Sequence, residues 1–264
     1  MIKGIINNKS TRLFIILAGF FITNALIAEV IGVKIFSLED TMGVPRANMN
    51  IFGNNFSFHL TAGVLLWPVV FVMTDIINEY YGPKGVRFLS FFAICLIAFS
   101  FIIYNAAIYL KPSEYFSIGN GIDKPDNAFR GIFGQGLWII IGSITAFLIG
   151  QILDVFIFHR IKKITGEKNI WLRSTGSTLV SQIIDSFVVI FIAFYVGKRI
   201  QTGQGDAWSL TQVMVTGTGN YIYKFIIAIL MTPVIYLVHF FIERYLGKSD
   251  AAALKNAAMS GEND

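Results

Sequence analysis

The chain has 264 residues, of which 55% are apolar and only 14% charged, with 25 Phe. Soluble domains carry about 25% charged residues, so this composition excludes a soluble globular class and points to an all-α, polytopic integral membrane protein. The formal net charge of +5 does not argue for nucleic acid, because the basic residues sit in short stretches between apolar runs, where they orient spans.

The first apolar run, 13–36, follows Lys3, Lys9 and Arg12. It is too long for a signal peptide, and "NALIAEV" places Leu26 where cleavage needs a small residue, so it reads as a retained span. Further runs at 58–81, 85–110, 131–158, 171–197 and 210–246 are each long enough to cross a bilayer, giving about six transmembrane helices. Pro68 and Pro233 fall inside two of them and are expected to kink their helices. Two connecting segments, "SLEDTMGVPRANMNIFGNNFS" and "KPSEYFSIGNGIDKPDNAFRG", are rich in turn residues and serve as loops or as a cover for an outer mouth. Residues 1–247 read as a single six-helix membrane domain and 248–264, small and polar, as a mobile cytoplasmic tail.

Thirteen basic residues lie on the side holding both termini: Lys3, Lys9, Arg12, Lys84, Arg87, Arg160, Lys162, Lys163, Lys168, Arg173, Arg244, Lys248 and Lys255. Seven lie on the other, so the positive-inside rule puts both termini in the cytoplasm. The single cysteine, Cys95, forms no internal disulfide. His59, His159 and His239, scattered at the ends of apolar runs, read as interface residues, and no metal site or cofactor is expected.

Charged groups at the centre of a span cost about 2.5–3.5 kcal/mol each on insertion scales. Glu29, Asp75, Glu79, Asp154, Asp185 and Lys224 all fall within the runs, so they are expected to face the bundle interior or a water-filled cavity. Asp75, Asn78 and Glu79 stand at i, i+3 and i+4 and share one helical face. "QILDVF" (Gln151, Asp154) and "QIIDSF" (Gln182, Asp185) repeat a Gln–Asp spacing of three on consecutive spans. Ser174, Thr178, Ser181, Gln182 and Asp185 trace a polar stripe along the fifth span. Gly142, Ala146 and Gly150 recur every four residues, as a close helix–helix contact requires. In "TGTGNYIYKF", Asn220 and Lys224 share a face, and Lys224, the one cation well inside a run, would neutralise one carboxylate and leave acids in excess. Such a lining suits a proton, a cation or a flat polar heterocycle; interhelical hydrogen bonding and, for Glu79, anchoring at the interface are the structural alternatives.

The stretches "TDIINEYYGPKGVR" (74–87), "GQILDVFIF" (150–158), "WLRSTGSTLVSQIIDSF" (171–187) and "YKFIIAILMTPVIY" (223–236) resemble the queuosine precursor transporter family, formerly grouped as vitamin uptake proteins. The resemblance covers about residues 13–246. It implies an inner-membrane importer of 7-deazaguanine precursors, 7-cyano-7-deazaguanine or its 7-aminomethyl analogue, for tRNA queuosine salvage. The family motifs fall on Asp75, Asn78, Glu79, Gln151, Asp154, Arg173, Gln182, Asp185 and Lys224, which with Asn220 form the expected substrate-binding set. The fold resembles the substrate-binding subunits of energy-coupling-factor importers, but Ala18, Ala25 and Ala28 do not make the alanine-every-four stripe those subunits use to dock an energising partner. There is no P-loop pattern. A binding subunit for another vitamin or nucleobase, energised by a separate ATP-driven module, is the nearest alternative. An intramembrane enzyme and a purely structural membrane protein are the others.

Overall fold

The computed structural model describes residues 7–46, 49–51, 54–117, 122–134, 136–166, 169–202 and 207–260. Lys3 and Lys168, parts of both long loops, and residues 261–264 lie outside the described residues.

Asn8 caps the first helix, α1 (Lys9–Ile31), accepting from the backbone N–H groups of Ser10 and Thr11. The connection that follows is structured. Strand β1 (Ile35–Ser37) pairs antiparallel with β4 (His59–Thr61), and β2 (Met49–Ile51) with β3 (Asn54–Phe56). Between β1 and β2 runs a short helix, α2 (Leu38–Met42), capped by Ser37 and closed by Gly43 at φ 67°. The Arg46 guanidinium beside Asp40 holds that carboxyl below the usual carboxylate range. The second apolar run therefore enters its long helix only at Trp67, after β4 and a 3-10 turn.

The next helix, α3 (Trp67–Tyr109), has 43 residues, about 65 Å if it were straight and twice the thickness of a hydrocarbon core. It is not straight. Gly82 has φ 72° and ψ −178°, outside the helical region and in space that favours glycine. A Cβ on Gly85 would stand 3.7 Å from Cγ2 of Ile77, eight residues earlier, whereas an unbroken helix separates such residues by about 12 Å. The chain thus turns sharply at Gly82-Pro83. Pro68, by contrast, occupies the first turn of α3, where a missing N–H costs nothing, and Pro233 lies inside α8.

Beyond α4 (Pro125–Phe133) lie α5 (Leu137–Thr165) and α6 (Ile170–Ile190), which pass into a π-helical turn over Phe191–Gly197 and then α7 (Lys198–Thr202). Gly142 packs against the backbone of Val189 and Ala193, and Gly150 against Asp185, so the small-residue stripe does bring α5 and α6 together. α8 (Leu210–Leu246) opens with a Ser209–Gln212 capping box.

The segment expected as a mobile tail is instead a helix, α9 (Lys248–Ser260), seated against α3 and α8. Ala251 and Ala258 are buried, and Ala258 lies against Gly82, where a Cβ would meet its carbonyl at 3.2 Å. Lys255 pairs with Glu243 at 2.7 Å and lies over the Tyr80 ring. Alanine at every few positions supplies both helix propensity and a thin packing face, and this outweighs the low hydropathy that reads as a tail.

Among the described residues, five helices are long and apolar enough to cross a membrane: α1, α3, the stretch that includes α5, the stretch that begins with α6, and α8. Large apolar side chains such as Phe88, Phe91, Phe99 and Ile102 point outward, while the interior holds buried Glu79, Asp154, Lys162 and Arg173. Apolar outside and polar within is the arrangement a lipid solvent favours.

Candidate functional site

The polar interior is built on the seam between the first arm of α3 and α5, with α6 closing it. Rungs run along this seam in step. Gln151 donates to Oγ1 of Thr74 at 3.1 Å, His159 Nε2 meets Oδ1 of Asn78 at 2.7 Å, and Lys162 reaches Glu79 at 3.1 Å. Residue numbers rise together on both sides, so the two segments run parallel.

At the inner end, the Arg173 guanidinium grips both oxygens of Glu79, from Nε at 3.1 Å and from the second fork at 2.7 Å, and also donates to the Gly166 carbonyl at 2.8 Å. Glu79, Lys162 and Arg173 are all within 1% of full burial. Arg173 and Lys162, expected among the loop charges, are thus interior groups, and Lys224 is not the one interior cation. A basic residue one or two turns from a helix end looks like a loop charge in sequence, and only the position of Glu79 shows that it turns inward. His159 and His239 each meet a side chain of α3: the first meets Asn78, and the second, 5% exposed, meets the Tyr80 hydroxyl at 3.0 Å.

Further along, both remaining α3 and α5 acids accept from hydroxyls on one face of α6. Ser174 donates to Oδ2 of Asp75; Thr178 and Ser181 donate to Oδ1 of Asp154, each at 3.4 Å. The serine and threonine stripe is therefore a set of donors aimed at carboxylates. Toward the other end Lys224 of α8 forms an ion pair with Asp185, and Glu29 of α1 accepts from Ser143. Asn220 is half-buried and lies outside the lining described next.

Between α3, α6 and α8 lies a cavity with an open mouth. Trp67, Phe71, Tyr223 and Met231 are among its apolar wall residues, and Asp75, Ser174, Thr178, Gln182 and Lys224 supply polar groups. Of the ten expected site residues, Asp75, Gln182 and Lys224 thus line the cavity. Asp154, Gln151 and Asn78 are buried outside its lining, while Glu79 and Arg173 are engaged with one another. Several buried acceptors have no hydrogen-bond partner: Oδ1 of Asp75, Oε1 of Gln182, Oε1 of Gln151 and Oδ2 of Asp154. Two of these, on Asp75 and Gln182, belong to residues that line the cavity; an unsatisfied buried acceptor costs about 1–3 kcal/mol, so both are candidate contacts for an incoming donor.

A helical bundle that turns its apolar side chains outward and keeps carboxyls buried within is a polytopic membrane protein. The chain belongs to the family described as "Putative vitamin uptake transporter", whose model matches residues 61–238. That match takes in the first arm of α3, both Gln–Asp motifs and most of α8. Among curated proteins the chain is 29% identical over 196 residues to the "Probable queuosine precursor transporter" of Bacillus subtilis, covering 72% of this chain and 77% of that one. It is 29% identical over 178 residues to the protein of the same description from Haemophilus influenzae, covering 67% of each. It is 27% identical over 201 residues to the "Queuosine precursor transporter" of Escherichia coli, covering 75% of this chain and 81% of that one. No solved structure matches the chain.

Proposed function

We propose that the chain imports queuosine precursors, 7-cyano-7-deazaguanine or 7-aminomethyl-7-deazaguanine, across the cytoplasmic membrane, without covalent chemistry. The observation that carries this reading is the pairing of two unsatisfied buried acceptors, Asp75 Oδ1 and Gln182 Oε1, with an aromatic cavity wall. A guanine-like edge presents a ring N–H next to an exocyclic NH₂, which is the donor pattern that a carboxylate and an amide oxygen accept. Trp67, Phe71 and Tyr223 offer faces for the bicyclic ring. Asp154, Gln151 and Asn78 are buried outside this wall, and Glu79 with Arg173 fixes its inner end.

Six crossings follow from the packing if α3 is two spans turning at Gly82. On that count the first arm of α3 and α5 are the second and fourth spans and run parallel, as their rungs require. Neighbouring α5 and α6, paired through Gly142 with Val189 and Gly176 with Ile161, run antiparallel. So do α6 and α8, through Asp185 with Lys224 and Thr175 with Thr232. Arg12 at the start of α1 meets Tyr245 at the end of α8, so both ends of the bundle lie on one face. With Lys162 and Arg173 moved to the interior, basic residues still outnumber those on the opposite face by eleven to seven, which supports a cytoplasmic placement of that face.

The test is uptake of the labelled precursors into vesicles containing only this purified chain. Saturable uptake is expected. Asp75→Asn, which removes the charged acceptor while keeping the shape, should weaken it by about 10- to 100-fold, the worth of one hydrogen bond to a charged group. Tight binding without uptake would mark a subunit of a separately energised importer, and neither binding nor uptake would overturn the substrate.

A further inference from the structure

Among the described residues, the cavity between α3, α6 and α8 has one acidic and one basic residue in its lining, Asp75 and Lys224. They stand at different levels of it. Ser174 of α6 donates to Asp75, and Asp185, eleven residues further along the same helix, accepts from Lys224. Over that stretch α6 rises by about 16 Å. On α8 the same two levels are marked by Thr232, which meets Thr175, and by Lys224 itself. Thr178 and Gln182 line the cavity between them, with Phe71 and Tyr223 among the apolar groups.

The two ends offer a ligand opposite things. At the first, Oδ1 of Asp75 is an acceptor with no partner. At the second, Lys224 belongs to the lining whereas its partner Asp185 does not, so the ion pair turns its cationic member toward the cavity. An ammonium carries three N–H donors, and Asp185 takes one of them. Both members of the pair keep 18% of their side-chain surface exposed, so neither is sealed off. A planar molecule lying along this cavity with its ring donors toward Asp75 and Gln182 therefore brings its opposite end to a donor that bears positive charge.

We propose that Lys224, held in place by Asp185, reads the substituent at that opposite end and selects a neutral hydrogen-bond acceptor over a cation, a selectivity that rests on the import of queuosine precursors. The two precursors differ at this substituent alone. The nitrile of the 7-cyano compound presents a lone pair to the ammonium. The 7-aminomethyl compound is a primary amine, cationic at neutral pH, and sets a second ammonium against the first. Like charges repel more strongly in a partly enclosed cavity than in bulk water. Asp185 is a positioning residue, fixing Lys224 without entering the lining.

Equilibrium competition on the purified protein, against labelled 7-cyano-7-deazaguanine, tests the selectivity with unlabelled 7-cyano and 7-aminomethyl compounds and with 7-deazaguanine bearing no substituent. The 7-cyano compound should bind about 10- to 100-fold more tightly than the aminomethyl one, the worth of one hydrogen bond to a charged group, with the unsubstituted ring between them. Lys224→Met combined with Asp185→Asn removes both charges of the pair, leaving neither alone, and should bring that ratio close to one. Asp185→Asn by itself leaves the ammonium without its anion and should widen the ratio. A narrower ratio in Asp185→Asn would overturn the proposal whether or not the double variant folds. So would a ratio unchanged in the double variant, or wild-type protein that binds the aminomethyl compound as tightly as the cyano one, its ammonium then lying on Asp75. In each of these cases both precursors bind and the transport reading stands. Binding of neither would remove the substrate assignment, and this selectivity with it.

Discussion

Glu79 is the residue whose removal should be felt most. Its two oxygens satisfy a buried guanidinium and a buried ammonium, so Glu79→Gln leaves two cations facing one neutral amide. Breaking a buried pair from one side costs about 3–5 kcal/mol, and thermal unfolding in detergent should show a shift to lower temperature of that size. Asp185→Asn is the comparison. Both partners of that pair keep 18% of their side-chain surface exposed, so the loss there should be distinctly smaller. Equal losses would show that Glu79 is not the structural clamp. The sequence already marks Asp75, Asn78 and Glu79 as one polar face, but it treats them alike. What separates them is the partner each meets on α5 and α6: two cations for Glu79, a histidine for Asn78, and for Asp75 a serine beside the cavity. A helix periodicity reports which way a side chain points and is silent about what stands opposite.

At the scale of elements, apolar run length makes most of the helices legible, and α8 matches its expected bounds of 210–246. Where structure and composition part, the cause is shared: composition is local, whereas burial depends on the neighbouring elements. Proline was expected to bend the second span, yet the break lies at Gly82, where a positive φ and the close approach of Ala258 both demand the absence of a Cβ. The last helix is missed because its burial comes from docking onto that same turn. Gly82→Ala should therefore act on both at once. The left-handed backbone costs about 1–2 kcal/mol for a residue with a Cβ, and the added methyl presses on the Ala258 carbonyl. We expect a lower unfolding temperature together with faster protease cleavage between Lys248 and Ser260. Unchanged cleavage would show that α9 is held by Glu243 and Lys255 rather than by the turn.

For the molecule as a whole, the direction of each helix is the quantity that composition gives least directly and packing gives best. A single long α3 would make five crossings and set the chain's two ends on opposite faces, which the contact between Arg12 and Tyr245 opposes. Two arms make six and bring the ends together. With Cys95 replaced by Ser, single cysteines in place of Asn8, Ser249 and Lys111 distinguish these arrangements, since all three positions are exposed. In intact cells a membrane-impermeant thiol reagent should label Lys111→Cys, while Asn8→Cys and Ser249→Cys should react only after the membrane is opened. Labelling of Ser249→Cys from outside would restore the five-crossing arrangement. It would also separate Glu79 and its two cations from the cytoplasmic face, because the parallel rungs between α3 and α5 tie the orientation of the charged inner end to that of the termini.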